Sequence, residues 1–324
     1  MTYGKRLRHR SVVVSLFLSL WILILLPATD TRAIESRPLE IALLPILDAL
    51  PFYVAEKNGY FRENQVAVRA IPVGSGLERD QLMQAGEIDG MLNEMISAAN
   101  FNRDKIQVII IATARKAYPG FPLFRILAAP GSSIDSVDKL TGQSIGISRN
   151  TIIEYVTDRL LAMENIHGHD VKMKSIPVIP ERYQLLMQGR IQAATLPDPL
   201  AKSAMVAGAG LILDDSMHTR YSVSVLTFRL QTLERRPKAV RAFLRAWDRA
   251  AADISADPES YRSLLLEKIR VPRNVQATFR IPRYPRGEVP DKAQWLDVID
   301  WMIARNLIKA TLAYEASVSR DFLP

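Results

Sequence analysis

The chain contains no cysteine. That excludes disulfides, thiolate metal sites, cysteine nucleophiles and lipid attachment through an N-terminal cysteine. No Gly-rich loop ending in Lys-Ser/Thr, no G-x-S-x-G and no H-E-x-x-H occurs, so no nucleotide-binding or hydrolytic constellation is recognisable. Histidine is scarce, with 4 in the chain. His9 lies near the start, His167 and His169 flank Gly168 in a polar turn, and His218 stands alone. An H-x-H pair without a third ligand predicts no metal site. No basic run or basic-aromatic stripe marks a nucleic-acid surface. Beyond residue 33 no apolar run is long enough to span a membrane.

What is present begins with a distinct N-terminal segment. Lys5, Arg6, Arg8 and Arg10 precede an apolar run over 12–26, followed by Pro27, Ala28, Thr31 and Ala33. This is the charged, apolar, small-residue order of a secretory signal, with cleavage expected after Ala33. The apolar run is shorter than a membrane span requires. The net charge of the whole chain is +8. Five basic residues and Asp30 fall in the first 33, so half of that basic excess leaves with the signal. A free, exported protein, periplasmic or secreted and not a lipoprotein, is the expectation.

The rest has ordinary globular composition, 48% hydrophobic and 23% charged, enough for two lobes with separate cores. Apolar runs at 39–44, 66–73 and 88–92 predict strands; 51–61 and 77–85 predict helices, ended by Asn58-Gly59 and Gly86. The same order recurs about 104 residues later. Strands are predicted at 143–147, 171–178 and 191–196, with helices at 152–163 and 181–188. Ala70-Ile71-Pro72-Val73 matches Ser175-Ile176-Pro177-Val178, and the segment from Gln81 resembles that from Leu185. Alternating strands and helices imply largely parallel sheets. A strand at 222–228 returns the chain to the first lobe, followed by helices near 239–254, 258 and 291–302. Trp247, Trp295 and Trp301 are expected in the core. The expected fold class is α/β, two lobes with a hinge and a cleft between them. Lobe 1 comprises 34–126 and 223–324, lobe 2 comprises 127–222, and two crossover segments form the hinge.

In open α/β sheets, ligands sit beyond the carboxyl ends of the strands. Candidate binding residues are therefore Asp48, Ser75, Gly76, Asn93 and Glu94 in the first lobe. In the second they are Arg149, Asn150, Thr151 and Asp198. The Gly/Ser turns place N–H groups and hydroxyls at helix N-termini, where an anion or carbonyl oxygen is favoured. Arg149 suits a carboxylate or sulfonate. Asp48, Glu94 and Asp198 suit an amine or amino-substituted heterocycle. Tyr53, Tyr118, Phe121, Phe124 and Tyr155 are available to stack on a flat ligand.

The stretch PFYVAEKNGYFRENQVAVRAIPVGSGLERDQLMQAGEIDGML resembles the SsuA-like periplasmic binding proteins of the sulfonate, nitrate and thiamine-precursor family. Tyr53, Val54, Ala55, Glu56, Lys57, Gly59, Tyr60 and Phe61 match that family's helix, with Asn58 inserted. SVDKLTGQSIGIS and the tail 305–324 are similar to further family segments. The resemblance implies a type II periplasmic binding fold that serves an ABC permease and its ATPase. It also implies ligand positions at Ser75, at 148–151 and at Asp198-Pro199. A monomer with neither cofactor nor metal is expected. Asp48, Glu94 and Asp198 make the cleft more acidic than an anion receptor needs. The expectation is accordingly a nitrogen heterocycle, such as a thiamine-precursor pyrimidine, ahead of a sulfonate or nitrate. Two alternatives are a biosynthetic enzyme on the same fold and a periplasmic sensory module. The family's enzymes that make the pyrimidine carry a Cys-rich segment that this chain lacks.

Overall fold

The structure is a computed structural model that describes residues 37–167 and 169–324. The signal segment 1–33 and its cleavage point lie outside the described residues. The described strands are β1 (Leu39–Leu43), β2 (Val68–Pro72), β3 (Gly90–Glu94), β4 (Val108–Lys116), β5 (Phe124–Ala128), β6 (Ser144–Ile147), β7 (Lys172–Ser175), β8 (Ala193–Pro197), β9 (Gly210–Asp214) and β10 (Val223–Arg229). They form two five-stranded sheets, ordered β2-β1-β3-β10-β4 and β7-β6-β8-β5-β9. Helices flank each sheet, as in the two-lobed periplasmic binding fold.

Each sheet has a parallel core closed by antiparallel strands. In the first, Ile41 of β1 pairs with Ala70 and Gly90; in the second, Ile145 of β6 pairs with Met173 and Ala193. The ladders therefore repeat residue for residue. β1 is buried at all five positions, as a central parallel strand covered on both faces must be. Gly90 in β3 leaves room for the Phe228 ring of β10: a Cβ there would lie 2.8 Å from that ring. The helix Leu50–Lys57 ends through Asn58 into Gly59, which takes a left-handed φ of 76°.

Two sequence expectations need correction, and two strands were not predicted. β3 runs to Glu94 rather than ending at Leu92, because the helix Met95–Asn102 follows it without a loop; Asn93 is thus a buried strand residue. Phe124–Ala128 pairs with β8 and β9, so the second sheet begins at 124 rather than 127. The strands β4 and β9 each follow a helix, Met95–Asn102 and Leu200–Val206, and so continue the strand-helix alternation. Each is an edge strand joined to the other sheet by a crossover, at 117–123 and 215–222.

Asp215 pins these crossovers together. It is wholly buried, and its carboxylate accepts the N–H groups of Leu123 (2.8 Å) and Phe124 (3.0 Å). A second tie comes from the helix Lys292–Ala304, whose start carries a capping box between Asp291 and Gln294. Trp295, Ile299 and Met302 share one apolar core with Ile96 of the first lobe and Tyr155 and Leu160 of the second. Trp301 Nε1 donates to Asp158 at 2.7 Å, and Arg159 Nε to Asp297 at 2.8 Å. The three tryptophans expected in the core are buried.

Candidate functional site

The carboxyl ends of β1, β3, β6 and β8 carry the charged residues that matter. After β1 a short turn over Leu47–Ala49 buries Asp48, whose Oδ1 accepts from Arg115 Nη1 of β4 at 2.9 Å. Arg115 is itself buried, and its Nε has no partner. Burial works against the Arg115 charge, but Asp48 more than offsets this and holds the guanidinium protonated. At the tip of β8, Asp198 pairs with Arg125 of β5 and accepts the N–H of Lys202 at 3.2 Å. Burial raises the Asp198 carboxyl; Arg125 and Arg115 oppose the shift. Arg115 thus senses a carboxylate from each sheet, and the order Asp48, Arg115, Asp198, Arg125 alternates in sign from one lobe to the other.

Beside this array, Arg79 reaches from the helix Gly76–Ala85 to the tip of β3. Its Nε meets Asp80 at 2.8 Å, and its Nη1 lies 3.2 Å from both the Leu92 carbonyl and Glu94 Oε2. Nη2 donates to Ser97 Oγ at 3.2 Å. Asn93 joins by donating to the same hydroxyl, and its Oδ1 accepts from Thr227 at 2.6 Å. Burial raises Glu94, with Arg79 pulling the other way.

The two helix-opening turns are occupied from within. Ser75 Oγ caps its helix by accepting from Glu78 N at 3.1 Å, and Glu78 in turn accepts the Gly74 N–H at 2.7 Å. Gly76 opens the same helix. Thr151 Oγ1 accepts from Ile153 N at 3.1 Å and donates to the Ser148 carbonyl at 2.8 Å. Asn150, at a left-handed φ of 59°, gives its N–H to Glu154 at 2.6 Å. Each turn was expected to present free N–H groups. Instead, a carboxylate of the helix's own first turn holds one of them. Arg149 is exposed and donates to the Met173 carbonyl at 2.9 Å, with Glu154 3.7 Å away. So the structure gathers Asp48, Asn93, Glu94 and Asp198 into buried networks. Ser75, Gly76, Arg149, Asn150 and Thr151 stay at partly or fully exposed turns.

The arginines were missed by sequence reasoning, and a signal for two of them existed. Glu78-Arg79-Asp80-Gln81-Leu82 and Glu181-Arg182-Tyr183-Gln184-Leu185 align at a separation of 103. The alignment at 104 used above is one residue out of register for these helices. Arg182 is fully buried and crosses the second sheet over Gly146 to its strand tips. It donates to the carbonyls of Thr195 (3.0 Å) and Ile176 and to Ser148 Oγ (2.9 Å). A Cβ on Gly146 would lie 2.8 Å from Ile191 Cδ1 and 3.3 Å from Arg182 Cγ and Cδ. Gly146→Ala should therefore cost about 1–3 kcal/mol of overpacking, read by thermal or urea denaturation.

Of the candidate aromatics, Phe124 and Tyr155 are core residues. Tyr118 stacks under Arg283 (4.1 Å), Phe121 under Arg280 (4.6 Å) and Tyr53 near Lys268 (5.6 Å). A polar groove of about 550 Å³ beside the crossovers is lined by Lys116, Tyr118, Arg220, Arg283 and Glu288. Another, of about 330 Å³, lies by Asp158, Trp301 and Arg305. None of the nine sequence candidates lines either groove. The rings of His167 and His169 stack 5.8 Å apart, and no metal-holding cluster of three or more acidic or histidine residues occurs among the described residues.

Comparison with known proteins agrees with the two-sheet architecture. The periplasmic aliphatic sulphonate-binding protein SsuA of Escherichia coli superposes with a TM-score of 0.73 at 15% identity, over 87% of this chain and 92% of its own. The ligand-binding component of an ABC-type import system from Staphylococcus aureus gives 0.72 at 13%, over 88% and 97%. The desulfurization enzyme DSZB gives 0.64 at 15%, over 88% and 97%. No curated protein sequence matches this chain. The family description "NMT1/THI5 like" matches residues 47–261, most of the described chain. With that match over well more than half of its length, the chain belongs to the NMT1/THI5-like family, and its two-lobed fold is that of the SsuA structure.

Proposed function

We propose that this protein is the exported solute-binding component of an ABC importer, acting as a monomer. It captures a small polar organic molecule between the lobe built on the first sheet and the lobe built on the second, and passes it to a permease with its ATPase. The observation that carries this is the alternating charge array. Asp48 with Arg115 stands at the tips of the first sheet and Asp198 with Arg125 at those of the second, and Arg115 and Asp198 favour each other's charged forms. A cleft walled by strand tips and flanked by two crossovers suits capture and release. Asp48, Asn93, Glu94 and Asp198 are its polar wall; Ser75, Gly76, Arg149, Asn150 and Thr151 are its rim.

Family and fold support a receptor, and so does the chemistry of the tips. Their carboxylates are held by guanidiniums, and no hydroxyl there is paired with a histidine base. Glu94 shares one arginine with Asp80, which leaves acceptor capacity for a donor-rich ligand. That favours an amino-substituted nitrogen heterocycle over a sulfonate. The fold shared with DSZB keeps an enzyme as the second reading.

The test is a thermal-shift and tryptophan-fluorescence screen of the full exported chain against metabolites. Saturable stabilisation is expected, about 2.7 kcal/mol at a hundredfold excess over Kd. Turnover of a panel member would overturn the receptor assignment in favour of the enzyme. A shift with alkylsulfonates alone would overturn the heterocycle preference.

A further inference from the structure

Arg79 and Arg182 occupy the same place in the two lobes. Each is the fourth residue of its helix, Gly76–Ala85 or Ile179–Met187, and the two lie 103 positions apart. Each sends its guanidinium to the backbone carbonyl at the same ladder position of the third strand, Leu92 in β3 and Thr195 in β8. Each also meets a serine hydroxyl, Ser97 or Ser148. Their neutralisation differs completely. Arg79 is flanked by Asp80 and Glu94. The corresponding positions of the second lobe are Tyr183 and Pro197, and Arg182 has no ion-pair partner among the described residues. Its Nη2 is buried with no hydrogen bond at all.

An unpaired buried cation is costly, and burial alone pulls the Arg182 guanidinium down to about 10. The residue is nonetheless placed where a ligand would come. Two of its acceptors, Ile176 O and Ser148 Oγ, sit just beyond the carboxyl ends of β7 and β6, and the third, Thr195 O, lies at the middle of β8. The remaining second-lobe charges cancel: Arg125 is paired with Asp198, and Arg149 lies by Glu154. The first-lobe tip has the opposite excess. Asp48, Asp80 and Glu94 face only Arg79 and Arg115. Opposed walls of unequal sign bind best a molecule whose own charges are separated in the same sense.

We infer that the cleft takes a dipolar solute, its anionic or strongly accepting end against the second lobe at Ser148 and Arg182, its cationic or donor end against Glu94 of the first. The inference rests on the capture function proposed above and adds the ligand's polarity and orientation. Arg182 acts there as a specificity-determining residue from beneath the surface: it donates to Ser148 Oγ, whose own O–H is turned to the Pro177 carbonyl at 3.2 Å, so the guanidinium charge favours the anionic end without a direct hydrogen bond.

The experiment uses the full exported chain, isothermal titration calorimetry and two triads of probes. One is 3-aminopropanoate with propanoate and propylamine. The other is 4-aminopyrimidine-5-carboxylate with pyrimidine-5-carboxylate and 4-aminopyrimidine. In at least one triad the dipolar member is expected to bind tenfold or more tightly than both truncated partners. Equal binding of a truncated partner, or no binding by either dipolar member, overturns the inference. In that second case, retention of a solute from a metabolite extract leaves capture standing; retention of none removes both. Tyr183→Asp supplies the carboxylate that Asp80 supplies in the other lobe. It should weaken the dipolar probe about tenfold, with Tyr183→Asn changing it less than threefold. If Tyr183→Asp fails to fold, Glu94→Gln should weaken the dipolar probe tenfold and leave the acid-only probe within threefold. No change in whichever variant folds overturns the assignment.

Discussion

Replacing Asp215 by alanine should destabilise the protein by roughly 2–6 kcal/mol, since two buried N–H groups, those of Leu123 and Phe124, lose their acceptor. The effect falls on the crossovers and hence on the link between the lobes. A pH signature accompanies it. Burial lifts the Asp215 carboxyl from 3.8 to about 7, against the bonds from Leu123 and Phe124. Between those two values the folded chain holds a proton that the unfolded chain has released. This contribution to stability is therefore complete below about pH 4, declines as pH rises, and is lost above about pH 7. Its size is on the order of 4 kcal/mol. Asp215→Asn keeps an oxygen for one of the two amides, which bond to different carboxylate oxygens, and cannot titrate, so the difference between wild type and variant should itself vary with pH across that window. Urea denaturation at pH 5 and pH 8 reads it. A constant difference between the two proteins would remove Asp215 from this role.

The second large effect is expected at Asp48. Asp48→Ala strands the buried Arg115 guanidinium, whose Nε already lacks a partner, and should cost about 3–5 kcal/mol. Removing both charges in Asp48→Ala with Arg115→Met should recover much of that loss, because the uncompensated charge goes with its partner. A double-mutant cycle by urea denaturation measures the coupling. Simple additivity of the two single changes would mean that the pair does not act as a unit. The double variant should also weaken solute capture, because Arg115 is the charge that both lobes share.

The parts of the fold visible in the sequence are those governed by neighbours along the chain. The parallel strands follow from short apolar runs, and the helix starts from Ser75 and Thr151, whose oxygens accept helix N–H groups as their positions predicted. Gly59 and Gly86 end helices in the left-handed conformation that glycine tolerates. The twofold plan was visible in the same way, one residue out of register at the arginine-bearing helices. The closing strands β4 and β9 were not predicted, although each follows a helix; their places at the sheet edges come from antiparallel pairing with β10 and β5, which are distant in sequence or in another repeat.

The candidate site divides along the same line. Strand-tip position was enough to single out Asp48, Glu94 and Asp198. Nothing local pointed to Arg115 or Arg125, which belong to β4 and β5 and meet carboxylates 67 and 73 residues away. Amino-acid order alone determined two βα halves, their caps, their turns and a thiol-free surface. Tertiary structure alone decided which charges meet, which arginine is left without a counter-charge, and that Glu78 and Glu154 fill the turns. Capping and apolar periodicity act over a few residues, whereas the partner of a buried charge is chosen by the order in which strands enter a sheet.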